Sequence, residues 1–200
     1  MKELLTMVKE LSFVRTGGSE EEKRAGELIM EEVGRAAREA GREDIRGEYM
    51  PFRIPDAKVA KCAVQAAGRE IPCVPFLRSG NIDRECELVY LDSASEIDFA
   101  GIGSLEGKAV LLNGLGDEEV YKRLVEHKAS AFLTLQGKYY LTGEAVSLYP
   151  RRLREHFTRN GAIPGFAIPS AEALRLIQGE VKMVHLTLEQ EDTEPESRNI

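Results

Sequence analysis

The feature that most constrains this chain is the run from Lys108 to Leu135. Lys108-Ala109-Val110-Leu111-Leu112 is a short continuous apolar segment, the pattern of a strand buried on both faces. Asn113-Gly114-Leu115-Gly116 follows as a turn. Residues 117–128 then read as a helix, with Asp117 as its cap and Val120, Leu124 and Val125 on its apolar face. Ala131-Phe132-Leu133-Thr134-Leu135 is a second buried-type strand. Strand, helix and strand in this order make a parallel pair joined by a crossover, which places the chain in the α/β (α+β) class.

The flanking segments extend that sheet. Residues 47–54, 58–66, 70–77 and 87–91 are short, rich in β formers and separated by Pro, Gly and Asp. Pro51, Pro55, Pro72 and Pro75 imply edges and bends. Residues 150–159 read as a short helix closed by Asn160-Gly161, with Leu153 and Phe157 one turn apart. Residues 163–169 look extended. Ser170 is expected to cap a helix through Gln178, stopped by Gly179, and residues 181–188 alternate as a strand. The tail from Glu189 to Ser197 is acidic, contains Pro195 and reads as a linker.

Ahead of all this lie two amphipathic helices. Leu4, Leu5, Val8 and Leu11 share one face over residues 2–13, and Thr16-Gly17-Gly18 breaks the pattern. Ser19 with Glu22 three residues later fits a capping box, and Glu20, Glu21 and Glu22 suit the positive end of a helix dipole. Ala25, Leu28, Ile29, Val33, Ala36, Ala37 and Ala40 continue the stripe to a stop at Gly41. Neither helix buries its stripe alone, so both need a partner surface. The expected organisation is a two-helix segment over 1–46, a sheet domain over 47–188 and an acidic linker with the start of a further strand over 189–200.

Composition bounds the partners. The net charge of −7, from 27 basic and 34 acidic residues, argues against nucleic-acid binding by bulk charge. No run approaches the roughly 18 apolar residues of a membrane span, and Met1-Lys2-Glu3-Leu4-Leu5 does not read as a secretory signal. Cys62, Cys73 and Cys86 are an odd set without metal-type spacing, read as free thiols in a reducing cytoplasm.

The residue types that carry chemistry are scattered. His127, His156 and His185 are isolated, and none belongs to a paired metal-ligand motif. The acids Glu20–Glu22, Glu31-Glu32 and Glu118-Glu119 sit on predicted helices and read as solvated. Gly114 and Gly116 join a strand to a helix, but a dinucleotide fingerprint needs a third glycine where Glu119 stands, and Asp117, Glu118 and Glu119 repel a pyrophosphate. Ser93 and Ser95 lack a nucleophile elbow. Arg151, Arg152, Arg154 and Arg159, with His156, form the one basic patch, suited to an acidic partner or carboxylate or else a solvated face. The reading is of no catalytic, cofactor-binding or metal residue in this chain.

Two stretches together resemble the protease-associated domain. Ser104-Leu105-Glu106-Gly107-Lys108-Ala109-Val110-Leu111-Leu112, then a helix, then Lys128-Ala129-Ser130-Ala131-Phe132-Leu133-Thr134, follow its pattern, with Ser130 where glycine is usual. Ile163-Pro164-Gly165-Phe166-Ala167-Ile168 and the helix after it are similar to that family's last strand–helix step. The flanks resemble zinc aminopeptidases of the glutamate carboxypeptidase and leucyl aminopeptidase type: Thr16-Gly17-Gly18-Ser19-Glu20-Glu21-Glu22 is similar to their entry motif, and Ser197-Arg198-Asn199-Ile200 to the opening of their second core strand.

The resemblance implies a swivelling β/β/α domain with a mixed sheet and flanking helices, inserted into a peptidase core. It implies zinc in the full-length parent, polarising a peptide carbonyl and activating water with a glutamate as base. The zinc ligands and that glutamate are expected beyond Ile200, so none is carried over. The chain alone is expected to be inert and to shape access of peptide substrates to the parent's cleft, with self-association through residues 2–40. The alternatives are a free-standing protein- or peptide-binding module and an enzyme with a scattered site; a reading frame continuing into His- and Asp-bearing motifs separates the first from the parent reading.

Overall fold

The computed structural model describes residues 2–42, 44–92, 94–115, 117–137 and 146–199. In chain order these form α1 (Lys2–Glu10), α2 (Glu20–Glu39), β1 (Met50–Arg53), β2 (Asp56–Ala66), β3 (Arg69–Ile71), β4 (Val74–Leu77), β5 (Ile82–Leu91), α3 (Glu96–Phe99), β6 (Lys108–Leu112), α4 (Glu118–Glu126), β7 (Ala131–Gln136), β8 (Arg151–Arg152), α5 (Glu155–Thr158), β9 (Gly165–Pro169), α6 (Ser170–Gln178), β10 (Met183–Thr193) and β11 (Glu196–Asn199). They divide into two units, Met1–Asp56 with Thr193–Ile200, and Ala57–Asp192.

In the first unit the chain's two ends meet: β1 and β11 pair antiparallel, Pro51 facing Arg198 and Phe52 facing Ser197. The predicted capping of α2 is present, with the Glu22 N–H donating to Ser19 Oγ at 3.1 Å. The Glu22 carboxylate accepts from the Gly18 N–H at 2.6 Å, one residue earlier than a capping box requires. Its other oxygen accepts from Ser197 Oγ, so this acid is a joint between helix and strand rather than a solvated charge. At the far end Gly41 takes φ +65°, and the N–H groups of Gly41 and Arg42 return to Arg38 and Ala37 carbonyls, a Schellman stop.

The second unit is a nine-stranded mixed sheet in the order β3-β2-β10-β5-β6-β7-β9-β4-β8. Its centre is parallel, β5 to β6 to β7 to β9, and it contains the expected β6–α4–β7 crossover. Registers align Val89, Val110, Phe132 and Gly165 in one cross-strand row. The glycine is obligatory there, because a Cβ at 165 would lie 2.1 Å from the Phe132 ring.

Alternation along each central strand splits the core in two. Val110, Leu112, Phe132 and Ala167 face α3, α4 and α5, packing on Phe99, Val120, Tyr121 and Leu124. Leu111, Leu133, Phe166 and Ile168 face α6 and, where the sheet curls, Val64, Ile71, Val184 and Leu186 of β2, β3 and β10. Tyr121 is fully buried, edge-on to Phe132 and Phe157, and its hydroxyl donates to the Gly161 carbonyl at 2.9 Å and accepts from the Ile163 N–H at 3.0 Å.

Several boundaries differ from the sequence reading. Pro72 lacks an N–H for the ladder, and the predicted strand 70–77 splits there into β3 and β4. Residues 150–159 begin as strand: Arg151 and Arg152 add to β4 in parallel, and only Glu155–Thr158 are helical. Pro169, not Ser170, is the residue before α6, and Ser170 is buried as its first helical residue. The acidic tail is not loose: β10 runs on to Thr193 and β11 follows. Gln190 explains why. Its side chain accepts from the Arg78 N–H at 2.9 Å and donates to the Gly80 carbonyl at 2.9 Å, and its main chain exchanges two bonds with the Asn81 amide.

Candidate functional site

The arginine patch is the surface feature that the fold turns into a site. Gln136, buried at the end of β7, grips the main chain of Tyr149 from both sides: its amide nitrogen donates to the Tyr149 carbonyl at 2.9 Å and its amide oxygen accepts from the Tyr149 N–H at 3.2 Å. β8 then follows β4, and the Leu153 N–H donates to the Leu77 carbonyl at 3.1 Å while its side chain drops into the core. This brings Arg151, Arg152 and Arg154 to a groove of about 400 Å³ that Asp117, Glu118, Phe76, Leu115 and Phe157 also line.

The charges of the groove are partly matched. Arg159 pairs with Glu118, and that hydrogen bond is the main reason the Glu118 carboxyl lies below the usual carboxylate range. Asp117 caps α4 by accepting from the Val120 N–H at 3.2 Å. Arg151 lies over the Tyr149 ring, 5.6 Å from its centre, and donates to its hydroxyl at 3.3 Å. Guanidinium groups and apolar side chains lining one groove suit a carboxylate carried on an apolar body, because each guanidinium offers a planar fork of donors.

The other candidate residues do not converge. His127 caps the end of α4, with Nδ1 3.1 Å from the Gly103 carbonyl and its ring against Phe99. His156 packs on Phe157 at the groove. His185 lies on the opposite half of the sheet, 3.0 Å from Asp83, which also accepts from Thr187 Oγ1 at 3.0 Å; these two bonds hold the Asp83 carboxyl below its ordinary range. Ser95 is a helix cap whose N–H and hydroxyl both donate to Asp98. Ser93 and Gly116, from the serine and glycine-loop readings, and Ile200 lie outside the described residues. Glu20 pairs with Lys23 and Glu32 with Arg35, both on the surface of α2.

The zinc implied by the resemblance does not fit these side chains. Among the described residues no three of His, Cys, Asp or Glu gather closely enough to hold a metal ion. No helix among them is long and apolar enough to cross a membrane. Sequence reasoning placed Glu22 at the start of α2 but missed its bond to Ser197, and it missed Gln136, Gln190 and Tyr121 as organising residues. Their signal is weak in one dimension, since each binds main-chain or side-chain groups far along the chain.

No protein-family model matches the sequence, and no curated protein matches it. Solved structures do. A zinc aminopeptidase from Bacillus subtilis superposes on 98% of the chain with a TM-score of 0.72 and 21% identity. A peptidase precursor from Shewanella amazonensis SB2B covers 98% at a TM-score of 0.68 and 17% identity. An aminopeptidase from Aneurinibacillus sp. strain AM-1 covers 98% at 0.63 and 18%. The chain spans 45%, 48% and 46% of those three chains, less than half of each. At such identities the likeness is one of fold, and it runs through both units.

Proposed function

We propose that this chain is the N-terminal and protease-associated region of a zinc-dependent aminopeptidase, a part that carries no catalytic residue and shapes the access of peptides to the parent's cleft. The observation that carries the reading is the fold likeness over 98% of the chain to a zinc aminopeptidase. The motif residues support it. Gly107 takes φ +78° and its N–H donates to Ser130 Oγ at 2.8 Å, so the two motif halves meet at the foot of the β6–α4–β7 crossover. Ile163-Pro164 leads into β9, with the Pro164 carbonyl accepting from the Phe132 N–H at 2.9 Å. The arginine groove is the surface we assign to peptide carboxylates.

The zinc and its hydrolytic chemistry belong to the rest of that parent. The three unbridged thiols accord with a cytoplasmic setting. Self-association is part of the proposal: Leu5 and Val8 of α1 are 57% and 60% exposed, beside an open groove of about 830 Å³ between α1 and α2 that is lined mostly by charged residues, Glu10, Arg24, Glu31 and Arg35 among them, with Met7, Leu11 and Leu28.

The test is direct. The purified 200-residue chain, given zinc and leucyl-p-nitroanilide, is expected to show no chelator-sensitive hydrolysis; robust turnover abolished by a chelator overturns the reading. A free-standing peptide-binding module is the second reading, favoured by the groove alone. It requires acidic peptides to bind the isolated chain with affinity that Arg152→Ala and Arg154→Ala lower about tenfold or more, which is roughly 1.4 kcal/mol.

A further inference from the structure

Two of the three cysteines are brought together by the hairpin of β2 and β3. The hairpin turns at Ala67-Gly68, both at positive φ, which is the two-residue turn that matches strand twist. Its register sets Ala66 opposite Arg69, Gln65 opposite Glu70 and Val64 opposite Ile71. Carried two places further, the same register sets Cys62 opposite Cys73, just beyond the end of β3. The sulfur atoms lie 3.7 Å apart, and both residues are half-buried.

Directly opposed residues of an antiparallel pair sit roughly 4.5–5.5 Å apart at Cα. That lies inside the window of roughly 4.4–6.8 Å which a disulfide spans. Side-chain rotation alone is asked to close the sulfurs to the bonding distance of about 2.05 Å. Cys86, the third thiol, is fully buried in β5.

We propose that Cys62 and Cys73 are an oxidation site, converted by a hydroperoxide into a disulfide that ties β2 to the segment entering β4. The attacking atom is Cys73 Sγ. Either sulfur can donate across the 3.7 Å contact; with Cys62 as donor the Cys73 thiol falls below its ordinary range, the Val64 main chain adding to the effect, and Cys62 is pushed up by the same bond and by burial. The Cys73 thiolate attacks one peroxide oxygen, the O–O bond breaks, and the leaving hydroxide takes a proton to become water. The Cys62 sulfur then attacks the Cys73 sulfenic sulfur. The S–O bond breaks, and the hydroxyl leaves as water with the Cys62 proton. Two thiols lose two electrons and two protons, and one hydrogen peroxide becomes two waters.

The experiment treats the full chain with one equivalent of hydrogen peroxide and reads intact mass and non-reducing peptide maps. The expected result is a loss of about two mass units, a Cys62–Cys73 cross-link, Cys86 still alkylated only after denaturation, and a melting temperature roughly 5 °C higher that dithiothreitol reverses. Cys86→Ser is expected to keep the cross-link and Cys73→Ser to lose it. Should Cys73→Ser fail to fold, the wild-type map decides alone. Mass gains of oxygen without a cross-link, a cross-link that involves Cys86, or two fully alkylated thiols under peroxide that oxidises free dithiothreitol, each overturns the proposal.

Discussion

The two units solve the problem of holding a chain together in opposite ways. The second buries a continuous apolar core on both faces of one sheet, from Val64 to Leu188. In the first, among the described residues, the only buried apolar side chains are Ala25 and Ala37, while Leu5, Val8, Met50 and Phe52 stay exposed. What organises the first unit is polar: Glu22 joins Gly18 and Ser197, and Arg198 stacks 4.2 Å from the Tyr49 ring while donating to the Lys23 carbonyl at 2.6 Å. A few charge-assisted bonds fix geometry, but they do not replace burial as a source of stability. The contrast teaches that burial holds the second unit together, whereas charge-assisted bonds set the geometry of the first.

Four changes test that contrast. The largest effect belongs to Gly165→Ala, which drives a methyl group into the Phe132 ring and is expected to cost the second unit about 2–3 kcal/mol in denaturant unfolding. A cost below about 0.5 kcal/mol would mean that this core is far looser than the register implies. Tyr121→Phe removes one hydroxyl that serves two main-chain groups, and about 1–2 kcal/mol is expected, with slower-exchanging amides around Ile163 losing protection. Glu22→Ala is expected to cost about 1 kcal/mol, confined to hydrogen exchange at the start of α2 and in β11; a matching loss in the second unit would break the comparison. Smallest in stability is Leu5→Lys with Val8→Lys, within about 0.5 kcal/mol. That pair is nevertheless expected to abolish concentration-dependent association in sedimentation, and a wild-type chain that stays monomeric with both helices ordered ends the self-association proposal.

Much of the fold is legible in one dimension where the signal is local. The β6–α4–β7 crossover appears from apolar runs of strand length around an amphipathic helix with Asp117 at its cap, and α2 from Ser19, its acids and Gly41. The same locality misleads at the tail. Glu189 to Thr193 reads as linker because its composition is polar, yet the stretch is strand, because Gln190 satisfies the main chain of the loop at Arg78 to Asn81. The arginine patch was legible as a cluster of charge but not as a groove, since its shape depends on Gln136 holding Tyr149 and on β8 adding to β4.

By itself, then, the sequence determined which segments are strands and helices in the centre of each unit, and it determined that histidine is too scattered to look like a metal set. Periodicity and caps are properties of neighbours in the chain, so they survive in a linear reading. Only the tertiary structure decided that Glu22 meets Ser197, that Phe132 demands Gly165 beside it, and that Cys62 meets Cys73. Each of these depends on register, and register is set by the packing of whole faces rather than by any residue's own preference.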